Sequence, residues 1–145
     1  MRAWILSLAE LDAFRQRLKT LPSASVTALP TIQVADGTPA QGSTHQLINA
    51  GGRYQPVGLT VNFLPKAAAH SVKLLLNATS TEITDPIATN NIIIKTNFAA
   101  ICVAVVPNNG GLVLNGAKSD GTNAQSYWLV ISPMMIDANG NPIKP

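Results

Sequence analysis

The sequence predicts a mainly β protein: an antiparallel sheet, sandwich or partial barrel of about eight strands, preceded by one N-terminal amphipathic helix. Three observations carry this expectation. From Ser23 to Ile136, short runs rich in Val, Ile and Thr alternate with clusters of Gly, Pro, Asn and Asp, the punctuation of strands and turns. Apolar residues recur at helical spacing in one segment only, "SLAELDAFRQRLKTLP". At 145 residues the chain has room for one domain and one core, read here as residues 1–145 with a helix over 7–21, a β-region over 23–136 and a tail over 137–145.

Each element follows from its residues. Ser7 with Glu10 three positions on forms a capping box, in which each side chain satisfies an amide at the helix start. Leu8, Leu11, Phe14, Leu18 and Leu21 give the helix one apolar stripe, and Pro22 ends it. The opening "MRAWIL" is read as part of this helix rather than as a signal peptide, because Glu10 and Asp12 interrupt a short apolar run. "SVTALPTIQV" reads as a strand with Pro30 at an edge or bulge, and Asp36-Gly37 marks a turn. "AQGSTHQLI" is a polar arm, "NAGGRYQP" a loop, and "VGLTVNFLP" alternates Leu59, Val61 and Phe63 against Thr60 and Asn62. "SVKLLLNATST" follows, then the connection "EITDPIATNN". "IIIKTNFAAICVAVV" reads as one long strand or two joined by a kink; "GLVLNG" pairs back to it and "SYWLVISPMMI" closes the sheet.

Composition narrows the function classes. Hydrophobic residues make up 46% and charged residues 12%, about half the usual charged share, so the surface is expected to be covered by Ser, Thr, Asn and Gln or buried against other copies, a hint of assembly. The net charge of +3 comes from ten scattered basic residues, with no basic patch or interleaved aromatics, so nucleic acid is not an expected partner. The lone Cys102 sits in "FAAICVAVV" and reads as a buried, inert thiol.

No candidate chemistry survives inspection. The "VAVVPNNGGLVLNG" stretch has glycines but no following Lys and no helix, so Asn108, Asn109, Gly110 and Gly111 read as a hairpin turn rather than a phosphate loop. His45 and His70 lie in separate polar settings without metal-ligand spacing. An enzyme would need a cleft joining at least two of His45, His70, Asp85 and Asp120, which the spacing does not suggest. Asp137 to Asn141 imitates the opening of a calcium loop but lacks its downstream Glu, and reads as a terminal turn. Asn77-Ala78-Thr79 is a sequon inside a strand pattern. The expectation is a non-enzymatic protein without cofactor or metal.

The order of segments resembles the C-terminal β-domain of bacterial secretins, the ring-forming outer-membrane channels of type II and III secretion and type IV pili. The likeness is carried by Pro30, Asp36, Gly37 and Ala40, then by Val57, Gly58, Val61 and Pro65, then by the polar Ser80 to Ile83. "VPNNGGLVLNG" is similar to the family's late "vvlGGl" signature, with Asn115 where glycine is usual, and Leu129 to Ile136 with Pro133 is similar to its last strand. The segment that follows that signature in secretins is replaced here by "AKSDGTNAQ". Ring domains and an export signal, which secretins carry upstream, are not legible. The resemblance therefore implies a fragment of a longer secretin or a shortened relative that keeps the sheet.

Taken together, the expected function is a structural, self-assembling protein of the bacterial cell envelope, at the outer membrane or periplasm or outside the cell. It would form a ring, tube or filament by pairing of sheet edges. Its main partner would be itself, with other cell-envelope proteins as further candidates, and with membrane association only as an assembly. The positions expected to carry packing and assembly are Val57, Leu59, Val61, Phe63, Val72, Leu74, Leu76, Ile92, Ile94, Tyr127 and Trp128. The alternative is a monomeric β-sandwich binding module using the loops Gly51 to Gln55 and Ala117 to Gln125.

Overall fold

A computed structural model describes residues 2–29, 31–50, 52–84, 93–118 and 125–144. These described residues form seven strands and one helix: β1 (Arg2–Leu6), α1 (Leu8–Thr20), β2 (Ala40–Ala50), β3 (Arg53–Ala67), β4 (Ser71–Thr84), β5 (Ile93–Pro107), β6 (Gly111–Lys118) and β7 (Gln125–Ile131). The strands form two antiparallel sheets, one of four strands in the order β2-β3-β4-β5 and one of three in the order β1-β6-β7. The expectation of a mainly β fold with one N-terminal helix holds, and the architecture is a sandwich.

Alternation builds the core. On β4, Val72, Leu74, Leu76 and Ala78 point inward; on β5, Phe98, Ala100, Ala104 and Val106 do the same. Leu112, Leu114 and Leu129 of the three-stranded sheet face them and complete one apolar cluster. The two sheets meet closely where Gly116 lies against Phe98: a Cβ on Gly116 would come within 2.6 Å of the ring.

The outer face of the smaller sheet is partly covered by α1. Ser7 and Glu10 form the expected capping box, the Ser7 amide donating to the Glu10 carboxylate at 2.7 Å. Leu11 is fully buried over Gly111, Phe14 leans on Trp128, and Trp128 stacks on Trp4 with centroids 5.5 Å apart. The stripe is only partly used, since Leu8 and Leu21 remain exposed.

Four expectations are corrected. "RAWIL" is strand β1 and not the first helical turn. Trp4 and Ile5 suit a pleated ribbon, β6 supplies the pairing edge, and the Ser7 cap separates the two elements. "SVTALPTIQV" forms no strand among its described residues; β2 takes the place beside β3 that this segment could have filled. "GLVLNG" does not pair back to the preceding strand. The β6 partners are β1 and β7, so Asn108 to Gly111 link two sheets rather than close a hairpin. Within the expected loop Gly51 to Gln55, Arg53 to Gln55 are part of β3, Arg53 pairing with Ala50 and Gly52 having φ 82°, while Gly51 lies outside the described residues.

Candidate assembly surface

The four-stranded sheet is built from strands of 11, 15, 14 and 15 residues, against the 5–6 that are commonest. The facing strands have at most 8 residues, so they cover only part of it. Pairing of β3 with β4 stops at Leu59 with Ser80, while β2–β3 pairing runs on to Ala50 with Arg53 and β4–β5 pairing to Thr84 with Ile93. Beyond Gly58 the sheet thus divides into two-stranded arms. Gly58 permits this fork: its φ is 141°, and a Cβ would overlap the Thr44 carbonyl oxygen. Its amide donates to Thr81 Oγ1 at 3.2 Å, tying the arms together at their root. On the other arm a bulge after Ser80 makes Asn97 the extra residue, and its Nδ2 donates to Glu82 and Tyr127.

Formal charge is sparse on both edges of this sheet, Lys95 near the start of β5 being the one charged residue on either edge strand. No Asp, Glu, Lys or Arg occurs in β2, and none occurs in β5 after Lys95. The inner strands carry the charges instead: Arg53 and Lys66 on β3, Lys73 and Glu82 on β4. Edge strands are ordinarily protected by charge, proline or shortness, and here that protection is thin from Phe98 to Val106 of β5 and along all of β2. Among the described residues β5 has a hydrogen-bonded neighbour, β4, on one side only, and β2 has β3 on one side only.

The face turned away from the core is also apolar near β5. Ile101 is 72% exposed, Val103 59% and Val105 53%, and Leu75 beside them is 46% exposed. In register across the sheet, Leu64, Leu75 and Val103 form one row, with Lys66, Lys73 and Val105 next to it on one side. On the other side lie Gln41, Asn62, Asn77 and Ile101, where Gln41 Nε2 donates to Asn62 Oδ1 at 2.9 Å. A shallow hollow of about 610 Å³ lies in this region.

The residues expected from sequence divide accordingly. Val61, Val72, Leu74 and Leu76 are core residues, with Leu59, Phe63 and Tyr127 packed against them; burial removes them from any surface between copies. Val57 and Ile94 are half-buried, Trp128 belongs to the stack with Trp4, and Ile92 lies outside the described residues. Leu75, Ile101, Val103 and Val105 lie within the strands expected to carry assembly but are not among the individually named positions, and they are the residues that face outward. Their signal was present: in "AAICVAVVP" both alternate sets are apolar, so one set must face away from the core whichever is inside.

Other candidate chemistry is dispersed. His45 and His70 are exposed on separate elements, and Asp85 and Asp120 lie outside the described residues, as does most of the Ala117 to Gln125 connection. Among the described residues no group of three or more His, Cys, Asp or Glu could hold a metal ion. Cys102 is half-buried beside the core. Asp137 uses Oδ1 to accept from the amides of Asn139 and Asn141, at 2.8 and 2.9 Å, and these bonds, chiefly that of Asn141, hold its carboxyl below the ordinary range.

No family model, no curated protein and no solved structure matches this chain.

Proposed function

We propose that this chain is a non-enzymatic structural protein of the bacterial cell envelope, similar to a secretin core domain, that assembles with copies of itself by pairing sheet edges. The observation that carries the reading is the pair of long edges poor in formal charge, with none on β2 and Lys95 alone on β5. An unprotected edge is a template for another strand.

Strand count supports a definite geometry. The four strands alternate in direction, so β2 and β5 run oppositely. A copy rotated about an axis roughly along the strands offers its β2 antiparallel to β5 of its neighbour, and each addition extends one antiparallel sheet. If the rotation closes, the product is a ring or tube; if not, a filament. The two-stranded arms point the same way, since an isolated two-stranded ribbon is marginal in water and a neighbouring arm would brace it.

The test is mass in solution across a concentration series, by sedimentation velocity. Wild type should associate as concentration rises, and Val103→Lys, which restores an edge charge, should shift the equilibrium toward monomer by tenfold or more, on the order of 1.4 kcal/mol. A sharp monomer at high concentration for wild type would reject assembly and favour the monomeric binding module.

A further inference from the structure

We propose that the outer face of the four-stranded sheet is a docking surface for an anionic lipid bilayer, an interaction available to a single copy and independent of edge pairing. Lys66 and Lys73 are direct cross-strand partners on this face, and both are exposed. Like charges placed opposite each other on a sheet are unfavourable. Among the described residues neither lysine has an ion-pair partner, the pair Arg15–Asp12 being on α1. The outward positions from Gln41 through Lys66, Lys73 and Val105 include no carboxylate. Glu82 is on the opposite face, bonded to Asn97, and Asp36 accepts from the Ala67 amide at the end of β3.

The row Leu64–Leu75–Val103 lies two residues along the strands from the lysines, about 7 Å away. An apolar strip with a cationic row beside it has the composition of a surface that sinks into the boundary between headgroups and acyl chains. Lysine stems reach along such a strip while their ammonium groups stay at phosphate level, and acidic lipids attract each of them. A soluble polyanion would meet the lysines and leave the apolar row in water. A second copy stacked face to face would enclose two lysine pairs with no carboxylate to meet them. The bilayer is the occupant that satisfies both halves of the surface.

Flotation of the full chain with phosphatidylcholine vesicles, with and without phosphatidylglycerol, tests this. Binding should require phosphatidylglycerol and fall as salt is raised. The double variant Lys66→Gln, Lys73→Gln should bind those vesicles more weakly by roughly fivefold per lysine, with an unchanged circular dichroism spectrum because both positions are exposed. Leu75→Asn should weaken binding at low and high salt alike. Absence of binding to acidic vesicles, equal binding to both kinds, or undiminished binding of the double variant would each overturn the proposal. So would a dimer dispersed by Leu75→Asn that ignores vesicles, which would assign the face to stacking between copies.

Discussion

Asn108 is 4% exposed, and both ends of its side-chain amide hold the C-terminal segment: Oδ1 accepts from the Met135 amide and Nδ2 donates to the Ile143 carbonyl, each at 2.8 Å. Its own amide donates to the His70 carbonyl at 2.9 Å, so one residue joins the turn between sheets, the β3–β4 turn and the tail. Next to it, Asn109 adopts φ 64°, a left-handed conformation that asparagine tolerates, and Gly110 passes so near Leu6 that a Cβ would sit 2.5 Å from its carbonyl oxygen. Removing the Asn108 amide strands two backbone groups. Asn108→Ala should therefore lower unfolding stability by about 2–4 kcal/mol, read from urea denaturation, whereas a loss under about half a kcal/mol would mean that water replaces the side chain at no cost. Gly58→Ala should be worse tolerated than Gly37→Ala. Both glycines have positive φ, but only at Gly58 does a Cβ meet backbone, while at Gly37 nothing lies within 4 Å. The expected costs are above about 2 kcal/mol and near 1 kcal/mol respectively, and equal losses in thermal unfolding would reject the difference.

At the scale of elements, the helix shows how local chemistry and packing divide the work. Its start is set locally, because the Ser7 backbone amide, and after it the Ser7 hydroxyl, hold the Glu10 carboxyl below the ordinary glutamate range. A depressed carboxylate contributes stability that is present above its unfolded value and is lost as pH falls through the folded one. The window therefore lies at and below the normal glutamate range, and the helix start should loosen only on strong acidification. An NMR titration should place the Glu10 midpoint below that of an unstructured glutamate and show Ser7→Ala moving it upward; an unmoved midpoint would discount the cap. The position of the helix is set by Leu11, Phe14 and the two tryptophans, which fasten it to the three-stranded sheet. Similarly, β4 and β5 owe their length to continuous β-prone sequence, and their fork from β2 and β3 to Gly58 and the bulge at Asn97.

For the whole molecule, edge pairing between β5 of one copy and β2 of the next makes a prediction that self-pairing of β5 does not. A charge on either edge should block association: Val103→Lys on β5 or Ser43→Lys on β2. A mixture of the two variants still contains one intact β5 and one intact β2, so it should form heterodimers that grow no further. If Ser43→Lys associates as wild type does, β5 pairs with itself about a two-fold axis instead. The reading depends on scale: strands of 11–15 residues against a covering sheet of 5–8 leave long edges and divided arms that the chain does not cover with its own described residues.

Sequence alone determined the β class, the capped helix and most strand positions, because periodicity and turn residues act over a few neighbours. It also marked a change of direction at Asn108 to Gly111, though as a hairpin rather than as the link between two sheets, and Val61, Val72, Leu74 and Leu76, named for packing and assembly, lie in the core. Only the tertiary structure decided which strands share a sheet. "GLVLNG" could pair with the strand before it by every local rule, yet it joins β1 and β7, because its two faces must be buried at once, Leu112 and Leu114 in the core and Val113 on the opposite face, beside Trp4. The same global constraint exposed Ile101, Val103 and Val105: on a strand apolar on both faces, which face meets water depends on where the second sheet lies, and that is a property of the whole chain.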